Sequence, residues 1–562
     1  MCCRARAGRT PRLHLRFTSH WKCYATLAPM ARPHRADRPT SRRTILRTAA
    51  TGALLVPVGS ALAACGSSNP GSATPSLVRN RPVLTHGVAT GEVTSGGALV
   101  WARSDRPATM IVETASSESF GAARKFRGPQ VTPAGDGTGR LRVAGLEPGQ
   151  TVHYRVTFEG EDGALSEPAT GIFTTAPVRD GDIRFQWSGD VVGQGWGINP
   201  DMGGMTIFAT MADRDPQFFI HSGDAIYADN PVEATQEQND GKTYRNITSP
   251  AKAQVAQTVD QFRGNCAYNL TDDHFRRFVG SVPQLVQWDD HEVVNNWFPG
   301  ESLEGQGREG YTEMSVDVLA RNGRQAWQEW QPVEIGASDR LYRRASYGPL
   351  LDVFILDMRS HKDPNPDAWS GDNVDGLLGP EQTQWLIDGL RDSTATWKIV
   401  ANDLPLSIVV ADKNTTPPDG PKAMEAVAQG DAGDPLGREI AFSRILSQTK
   451  NVRNVVFLTA DVHYTAAISY EPDRAGFKDF APFWEFVAGP LHAGAFPESP
   501  LDSTFGAEYQ FVHAPTGSNV SPAEGFQHFG EVTIDGRTKV LSVDLVDASG
   551  KTLYRKDLEP AS

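Results

Sequence analysis

The chain from residue 182 onward repeats one pattern: a short run of apolar, mostly β-branched or aromatic residues ends abruptly in polar residues. Such runs predict buried strands, and stretches between some of them, such as residues 380–393, predict helices. The six clearest runs end at these polar residues: Asp190; Asp224 and Tyr227; Asp290 and His291; Asp357 and Arg359; Asn402 and Asp403; Asp461 and His463. Because ligands of sheets that mix strands and helices bind outside the carboxyl ends of the strands, we expect the six ends to meet at one site.

Residues 81–176 show a second pattern, in which short strands alternate apolar and polar residues and are separated by turn signals. The segments "ALVWARS", "MIVETA" and "VHYRVTFEG" are examples. "LEPGQTVHYRV" places a Pro-Gly turn before a strand with Tyr154, which resembles the corresponding segment of fibronectin-type sandwiches. We therefore predict a small β-sandwich domain at 81–176, followed by the main domain at 182–562. The Gly-, Ser- and Pro-rich residues 65–80 predict a flexible tether.

The first 64 residues have the parts of an export signal. Arg42 and Arg43 stand before residues 48–64, which carry no charge and are mostly apolar. Gly52, Pro57 and Gly59 interrupt this run and make it a poor membrane-spanning helix. The paired arginines predict export by the twin-arginine machinery, and hence a periplasmic, cell-surface or extracellular protein. The part ahead of the arginines is unusually long, so Met30 is an alternative start.

Cysteine use limits how an exported form of this chain is stabilised. The cysteines are Cys2, Cys3, Cys23, Cys65 and Cys266. Removal of the leader would leave Cys65 and Cys266, so no disulfide framework is expected, and stability must come from the core or from metal ions. "LAAC", which ends at Cys65, resembles a lipoprotein cleavage box and predicts a lipid anchor. The alternative is cleavage after "ALA" with Cys65 incidental.

The charge is unevenly distributed along the chain. The 54 basic and 67 acidic residues give a formal charge of −13, yet residues 1–47 hold twelve of the basic residues and one acid. Removal of the first 64 residues leaves 42 basic and 66 acidic residues, a difference of −24. An acidic body does not favour polyanionic partners, so no nucleic-acid binding is expected. Membrane contact is expected only through a lipid on Cys65.

The residue types at the strand ends indicate a metal site. Carboxylate, imidazole, amide and phenol side chains together suit hard or borderline cations such as iron, zinc, manganese or calcium. Two cations about 3.5–4 Å apart need a carboxylate that bridges them and further ligands on each side. Such a pair clamps a phosphoryl group during in-line displacement.

Four motifs in a fixed order resemble those of the calcineurin-like metallophosphatases: "GD" at 189–190, "GDAIY" at 223–227, "WDDHE" at 288–292 and "ADVHY" at 460–464. With "FWEFVAGPLHAGAFP" and "SGDVVGQGWGINPDMGG", they resemble more closely the alkaline phosphatase D group, whose sites are akin to those of purple acid phosphatases. The resemblance implies an α/β fold, a two-sheet sandwich flanked by helices and preceded by a small all-β fibronectin-like domain. It also implies a secreted, metal-dependent phosphoesterase acting on small phosphate esters.

The resemblance also implies roles for single residues. The implied ligands of a first metal ion are Asp190, Asp224, Tyr227 and His463. The implied ligands of a second are Asp224 as the bridge, Asp290, Asp461, and either Asn402 or Asp403. Some members have a cysteine near the position of Asp190 as an iron ligand, and this chain has none there. Iron and calcium are therefore implied by resemblance, with zinc and manganese as alternatives.

The implied reaction is attack of a metal-bound hydroxide on phosphorus. His291 would protonate the leaving group or stabilise charge, and Arg359 or Arg263 would grip the phosphate oxygens. Asp289 and Glu292 are expected to be solvated or to support the ligands.

Three functions stay open at this point. Hydrolysis of monoesters is the first, and phosphodiesterase or phospholipase activity is its alternative. The third is a non-catalytic surface lipoprotein on a decayed enzyme fold. A decayed site would have lost at least one of its main groups, but Asp190, Asp224, His291 and His463 are all present. The sequence therefore favours an enzyme.

Overall fold

The structure, a computed structural model, describes residues 81–336, 339–369, 375–416, 422–430 and 433–561. The predicted export signal, the tether and Cys65 lie outside these residues. The N-terminal strands are β1 (Leu84–Thr94), β2 (Gly97–Ser104), β3 (Ala108–Ala115), β4 (Arg124–Val131), β5 (Thr138–Ala144), β6 (Thr151–Glu159) and β7 (Ala169–Thr174). They form two sheets, one of β1, β2 and β5 and the other in the order β4-β3-β6-β7.

In the N-terminal sandwich, buried and more exposed residues alternate along the strands. In β6, Val152, Tyr154, Val156 and Phe158 are buried, and the residues between them are partly exposed. Alternate residues of a strand point to opposite faces, so one face of β6 enters the core.

The main domain continues with fifteen described strands: β8 (Ile183–Ser188), β9 (Phe218–Ser222), β10 (Thr235–Glu237), β11 (Thr243–Arg245), β12 (Gln284–Gln287), β13 (Arg343–Tyr347), β14 (Leu351–Ile355), β15 (Trp397–Ala401), β16 (Val455–Thr459), β17 (Thr465–Tyr470), β18 (Phe483–Val487), β19 (Ala507–His513), β20 (His528–Ile534), β21 (Leu541–Asp547) and β22 (Thr552–Leu558). Its described α-helices are α1 (Ile207–Ala212), α2 (Val259–Asn269), α3 (Asp273–Ser281), α4 (Val316–Trp330), α5 (Gly379–Asp392) and α6 (Glu439–Thr449).

Two large sheets dominate the described residues. One has the order β22-β21-β20-β8-β9-β12-β1-β2-β5, and the other β13-β14-β15-β16-β18-β17-β19. The pairing of Gly91 in β1 with Gln284 in β12 joins the N-terminal sandwich to the first of these sheets. The strands β1, β2 and β5 thus belong to both parts, which the sequence did not indicate.

The two large sheets enclose a central core, and helices cover their outer faces. Phe218 and Ile220 of β9 lie in the central core, while Phe219 packs with residues of α1–α4. In β15, Ile399 lies in the central core, while Val400 packs with residues of α5 and α6. The order of layers is therefore helix, sheet, sheet, helix. This confirms the predicted α/β two-sheet sandwich and the all-β domain before it.

Local sequence explains where helix α3 begins and which face it buries. The Asp272 carboxylate accepts hydrogen bonds from the backbone N–H groups of His274 and Phe275, both at 2.9 Å, and so caps the helix. Phe275, Phe278 and Val279 follow at the spacing of one helical face and are buried. Within the described residues, the structure contains no helix that is both long and apolar enough to span a bilayer.

Candidate metal centre

The six predicted strand ends meet at one place. The strands β8, β9 and β12 run parallel in the first large sheet, as do β14, β15 and β16 in the second. Contacts between Tyr227 and His463, and between Arg359 and Asp289, join ends from the two sheets. The sandwich of two parallel-stranded regions therefore gathers polar side chains along a shared edge.

Four residues at these strand ends have a left-handed backbone: Asp190 (φ 67°), Asp224 (φ 51°), Asp461 (φ 65°) and His463 (φ 62°). Residues other than glycine rarely adopt this conformation, and they persist where surrounding contacts hold them. Here the Val191 N–H donates to the Asp224 carbonyl, and the His492 N–H donates to the Asp190 carbonyl, both at 2.9 Å. The backbone of the site is therefore held in its turns by hydrogen bonds between neighbouring loops.

Glu292 connects two of the strand ends. Its carboxylate accepts hydrogen bonds from the N–H groups of Asp224 (3.1 Å), Ala225 (2.6 Å) and Asp289 (2.7 Å). Glu292 is completely buried, and burial raises its pKa to about 8. Of the two roles expected from the sequence, solvation or support, the structure shows support of the loops after β9 and β12.

A first group of metal donors consists of Asp190, Asp224 and His463, whose donor atoms lie within 4.8 Å of one another. The Tyr227 hydroxyl lies in the same group, 3.1 Å from Asp190 Oδ1 and 2.9 Å from His463 Nε2. His463 Nδ1 donates to the Gly494 carbonyl at 2.5 Å, and burial lowers the pKa of His463 to about 4. The neutral ring therefore presents the Nε2 lone pair to the site.

Two further groups adjoin the first. One consists of Asp224, Asp290 and His291, and the other of Asp289, Asp290 and Asp461, each again with its donor atoms within 4.8 Å. Asp224 belongs to the first and second groups, and Asp290 to the second and third. A residue that belongs to two groups can bridge two cations, and the bridging role that the resemblance implied for Asp224 stays a prediction.

His291 is held by a carboxylate that the sequence analysis missed. Its Nδ1 lies 2.6 Å from Asp229 Oδ1, its Nε2 lies 3.8 Å from Asp290 Oδ2, and its ring stacks on Tyr227. Burial alone would lower the pKa of His291, but Asp229 and Asp290 outweigh it and raise the pKa to about 9. The signal for Asp229 was its position five residues after Asp224 in the same polar segment.

The side chains fit metal ions. Among the described residues, Asp190 Oδ2 is buried without a hydrogen-bond partner, as are both polar side-chain atoms of Asn402. Burial, with the nearby Asp289 carboxylate, raises the pKa of Asp190 to about 8. Burial and neighbouring carboxylates also raise the pKa values of Asp224 and Asp461 well above the usual range. Buried carboxylates that repel one another are stabilised in their charged form by bound cations.

Comparison with known proteins decides the family. A model of the PhoD-like phosphatases matches residues 185–545, and a model of the PhoD-like phosphatase N-terminal domain matches residues 71–177. The chain belongs to the PhoD-like phosphatase family. It is a phosphoesterase, and the clusters of acidic and histidine side chains support binding of several metal ions.

Relatives and solved structures agree with this family. Alkaline phosphatase D of Bacillus subtilis (strain 168) is 28% identical over 438 residues, which cover 73% of this chain and 70% of that protein. The solved structure of PhoD has a TM-score of 0.62 at 20% identity and covers 86% of this chain and 93% of its own. Purple acid phosphatase PPD1 from yellow lupin (Lupinus luteus) seeds has a TM-score of 0.55 at 14% identity, with coverages of 85% and 74%. These two likenesses concern the fold.

The structure changes the predicted role of Arg263 in this PhoD-like phosphatase. Its Nε and Nη2 donate to the two carboxylate oxygens of Glu329 at 2.6 and 2.8 Å, and its Nη1 donates to Asp260 at 2.8 Å. Its Nη2 also donates to the Ala134 carbonyl of the N-terminal sandwich at 2.9 Å. The prediction that Arg263 binds substrate is corrected: Arg263 connects α2 with α4 and the sandwich.

Arg359 does lie at the centre, but the protein encloses it. Its side chain is 0% exposed, and its nitrogen atoms face carboxylates, including those of Asp289 and Glu425. This geometry does not support the predicted role of Arg359 as a phosphate ligand, because every side of the guanidinium faces the protein interior.

The further ligand of the second ion stays a prediction, with Asn402 and Asp403 as its two candidates. Both have buried polar side-chain atoms without a hydrogen-bond partner, and Asp403 Oδ2 also lies 3.5 Å from Arg359 Nε. Asp403 belongs to none of the groups of acidic and histidine donors found among the described residues. The geometry leaves both candidates open.

Proposed function

We propose that this phosphoesterase is an exported enzyme that hydrolyses small phosphate monoesters with the help of two or more metal ions. One observation carries the proposal: two donor groups share Asp224 beside a histidine that a buried carboxylate orients. Bound cations would lower the pKa of a water molecule and withdraw charge from the phosphoryl group.

The chain's own residues would divide the work as follows. Asp190, Tyr227 and His463 would hold the first ion, and Asp224 would be shared between the ions. Asp290 and Asp461 would hold the second ion, with Asn402 or Asp403 as a further ligand. The contacts among Tyr227, Asp190 and His463 support the first assignment, because three donor types already converge there.

His291 would act on the leaving group. Its Nδ1 is engaged with Asp229, and the other ring nitrogen, Nε2, lies 3.8 Å from Asp290 Oδ2. From that position Nε2 can hold a proton for the leaving oxygen or stabilise its developing charge. Asp229 would keep the ring in this orientation.

The identities of the ions rest on ligand chemistry. A phenolate oxygen from Tyr227 suits ferric iron, and carboxylate oxygens suit calcium, while zinc and manganese are alternatives for the same ligands. Metal analysis of the protein purified from its own exported fraction tests this proposal. Stoichiometric iron would support Tyr227 as an iron ligand, and a purple colour from charge transfer would add to it. Zinc or manganese alone would contradict the iron assignment.

The substrate class is tested by comparing two esters of the same alcohol. The metal-loaded protein should hydrolyse p-nitrophenyl phosphate faster than bis(p-nitrophenyl) phosphate. A preference for the diester would favour the phosphodiesterase alternative, and release of a headgroup from phospholipid vesicles would favour a phospholipase. Failure of the folded, metal-loaded protein to hydrolyse any of these esters would contradict the proposal.

Export by the twin-arginine machinery is supported by Arg42 and Arg43 before an uncharged segment. Replacement of both arginines by lysine should trap active precursor inside the cell, and normal secretion of that variant would contradict this route. Cys65→Ser should release the mature protein from the membrane fraction if Cys65 carries lipid. An unchanged distribution would favour simple cleavage.

A further inference from the structure

Arg359 is a completely buried charge at the centre. The side chains of Arg359, Asp289 and Asp403 are at most 1% exposed. Arg359 Nε donates to Asp289 Oδ1 at 2.5 Å, and Nη2 lies 3.3 Å from Asp290 Oδ1 and 3.8 Å from Asp461 Oδ1. One guanidinium therefore contacts one oxygen of each carboxylate in the third donor group.

The second oxygens of these carboxylates lie elsewhere. Asp290 Oδ2 accepts a hydrogen bond from the Asn296 N–H at 2.6 Å and lies 3.8 Å from His291 Nε2. Asp289 Oδ2 is buried without a hydrogen-bond partner. The guanidinium thus restrains the rotation of the Asp289 and Asp290 carboxylates and leaves the second oxygen of each for a different partner.

A second set of contacts holds the guanidinium in place. Arg359 Nη1 and Lys362 Nζ both contact the Glu425 carboxylate. Asn365 Nδ2 donates to Glu425 Oε2 and to the Asn296 carbonyl, each at 2.8 Å. All five residues except Asn296 are buried. This network connects Arg359 to the loop that follows β12, so the arginine has little freedom to turn towards a ligand.

On this basis we propose that Arg359 is a positioning residue of the metal centre and not a phosphate ligand. It orients Asp289, Asp290 and Asp461 and offsets part of their charge, and so sets the affinity of the second cation. The inference rests on the proposed function, because it assumes that these carboxylates serve a metal ion. A phosphate bound to Arg359 would instead have to displace carboxylates from a fully buried guanidinium, and like charges would repel it.

Loss of the guanidinium should weaken metal binding. The freed carboxylates would repel one another and take up protons, since burial already disfavours their charged forms. Side chains that orient metal ligands typically change metal affinity by roughly 10–100-fold when they are replaced. Lysine would keep the charge but contact fewer carboxylates at once, because it lacks the planar fork of arginine.

The test is a titration of the metal-free protein with Mn²⁺, followed by electron paramagnetic resonance of the free ion. Arg359→Gln should raise the Mn²⁺ concentration for half-occupancy of the weaker site by roughly 10–100-fold, and Arg359→Lys should raise it less. Arg214→Gln is the matched control, because Arg214 forms a bidentate ion pair with buried Glu531 near the amino end of β9. Inhibition by inorganic phosphate, measured at saturating Mn²⁺, should stay unchanged in both Arg359 variants.

The outcomes separate the inference from the proposed function. If a folded Arg359 variant keeps the wild-type Mn²⁺ titration but loses inhibition by phosphate, Arg359 is a phosphate ligand and the inference is overturned. An unchanged titration with unchanged inhibition overturns it too. If Arg359→Gln does not fold, Arg359→Lys decides by the same criteria. Wild-type protein that binds no Mn²⁺ and cleaves no phosphate ester would instead contradict the proposed function.

Discussion

The ends of β8, β9 and β16 differ from the ends of β14 and β15, although all five end in buried polar residues. The first set has left-handed residues at its tips: Asp190, Asp224, Asp461 and His463. The second set has none among its corresponding described residues: Asp357, Arg359, Asn402 and Asp403. The first set supplies donor groups for metal ions, whereas Asp357 accepts hydrogen bonds from Trp288 and from the backbone of Arg359.

The comparison teaches that a polar residue after a strand does not by itself enter a site. The left-handed residues after β8, β9 and β16 are themselves donors, whereas Asp290 after β12 is a donor without a left-handed backbone. After β14 and β15, in contrast, polar groups pair with one another, as Asp403 and Arg359 do at 3.5 Å. The positive charge of Arg359, which offsets the carboxylates of the site, therefore comes from a strand end that resembles the other strand ends in sequence.

The largest effect is expected from Asp224→Asn, because Asp224 belongs to both the first and the second donor group. Loss of the bridging carboxylate should lower kcat on the order of 10⁴-fold, since metal ions contribute several kcal/mol and each 1.4 kcal/mol is a factor of ten. Metal analysis should show fewer bound ions, and circular dichroism should show an unchanged fold. A variant with a full complement of metal and near-normal turnover would show that Asp224 is no bridge.

His291→Ala should give the next largest effect. A positioned acid contributes roughly 10²–10⁴-fold, so kcat should fall by that factor while metal content hardly changes. The loss should be smaller for aryl phosphates, whose leaving groups need little protonation, than for alkyl phosphates. Equal losses on both substrates would leave charge stabilisation as the role of His291, and loss of a metal ion would make His291 a ligand.

The sequence predicted more of the candidate donors than of the residues that support them. Strand ends with acids and histidines indicated Asp190, Asp224 and His463, which the structure brings into one donor group. Glu292 was left between two roles and Arg359 was predicted to bind phosphate, because the partners that both contact come from distant parts of the chain. For example, Glu292 binds the N–H of Asp224, 68 residues away, and Arg359 meets Asp289 from the opposite sheet.

The sequence also did not predict that the N-terminal sandwich pairs with a large sheet of the main domain. One pair of strand residues, Gly91 with Gln284, connects them, and nothing in the sequence around either residue indicates which strand it pairs with. Strand pairing over such a separation depends on how whole domains pack. The alternation of residues within each strand, in contrast, is local, which is why the individual strands and the class of fold could be predicted.

A paired substitution compares a donor that follows β12 with a carboxylate that follows β15. Asp290→Asn, in a residue of two donor groups, should lower kcat by roughly 100-fold and weaken metal binding, as loss of a residue in the ligand network does. Asp403→Asn removes a carboxylate that pairs with Arg359 and should lower kcat by less than about tenfold. Both are measured at saturating metal. Equal losses in the two variants would mean that Asp403 is itself a metal ligand.

Arg263→Gln should have the smallest effect on activity, because the Arg263 guanidinium is engaged with Glu329, Asp260 and the Ala134 carbonyl. We expect kcat and KM for p-nitrophenyl phosphate to change by less than about twofold, since none of these partners belongs to a donor group of the metal centre. The lost contacts between α2, α4 and the N-terminal sandwich should lower the melting temperature by roughly 2 °C, the scale of a partly exposed ion pair in a protein of this size. Arg263→Lys is the matched variant, because it keeps the charge and should recover part of that stability. A large rise in KM with an unchanged melting temperature would return Arg263 to the substrate site.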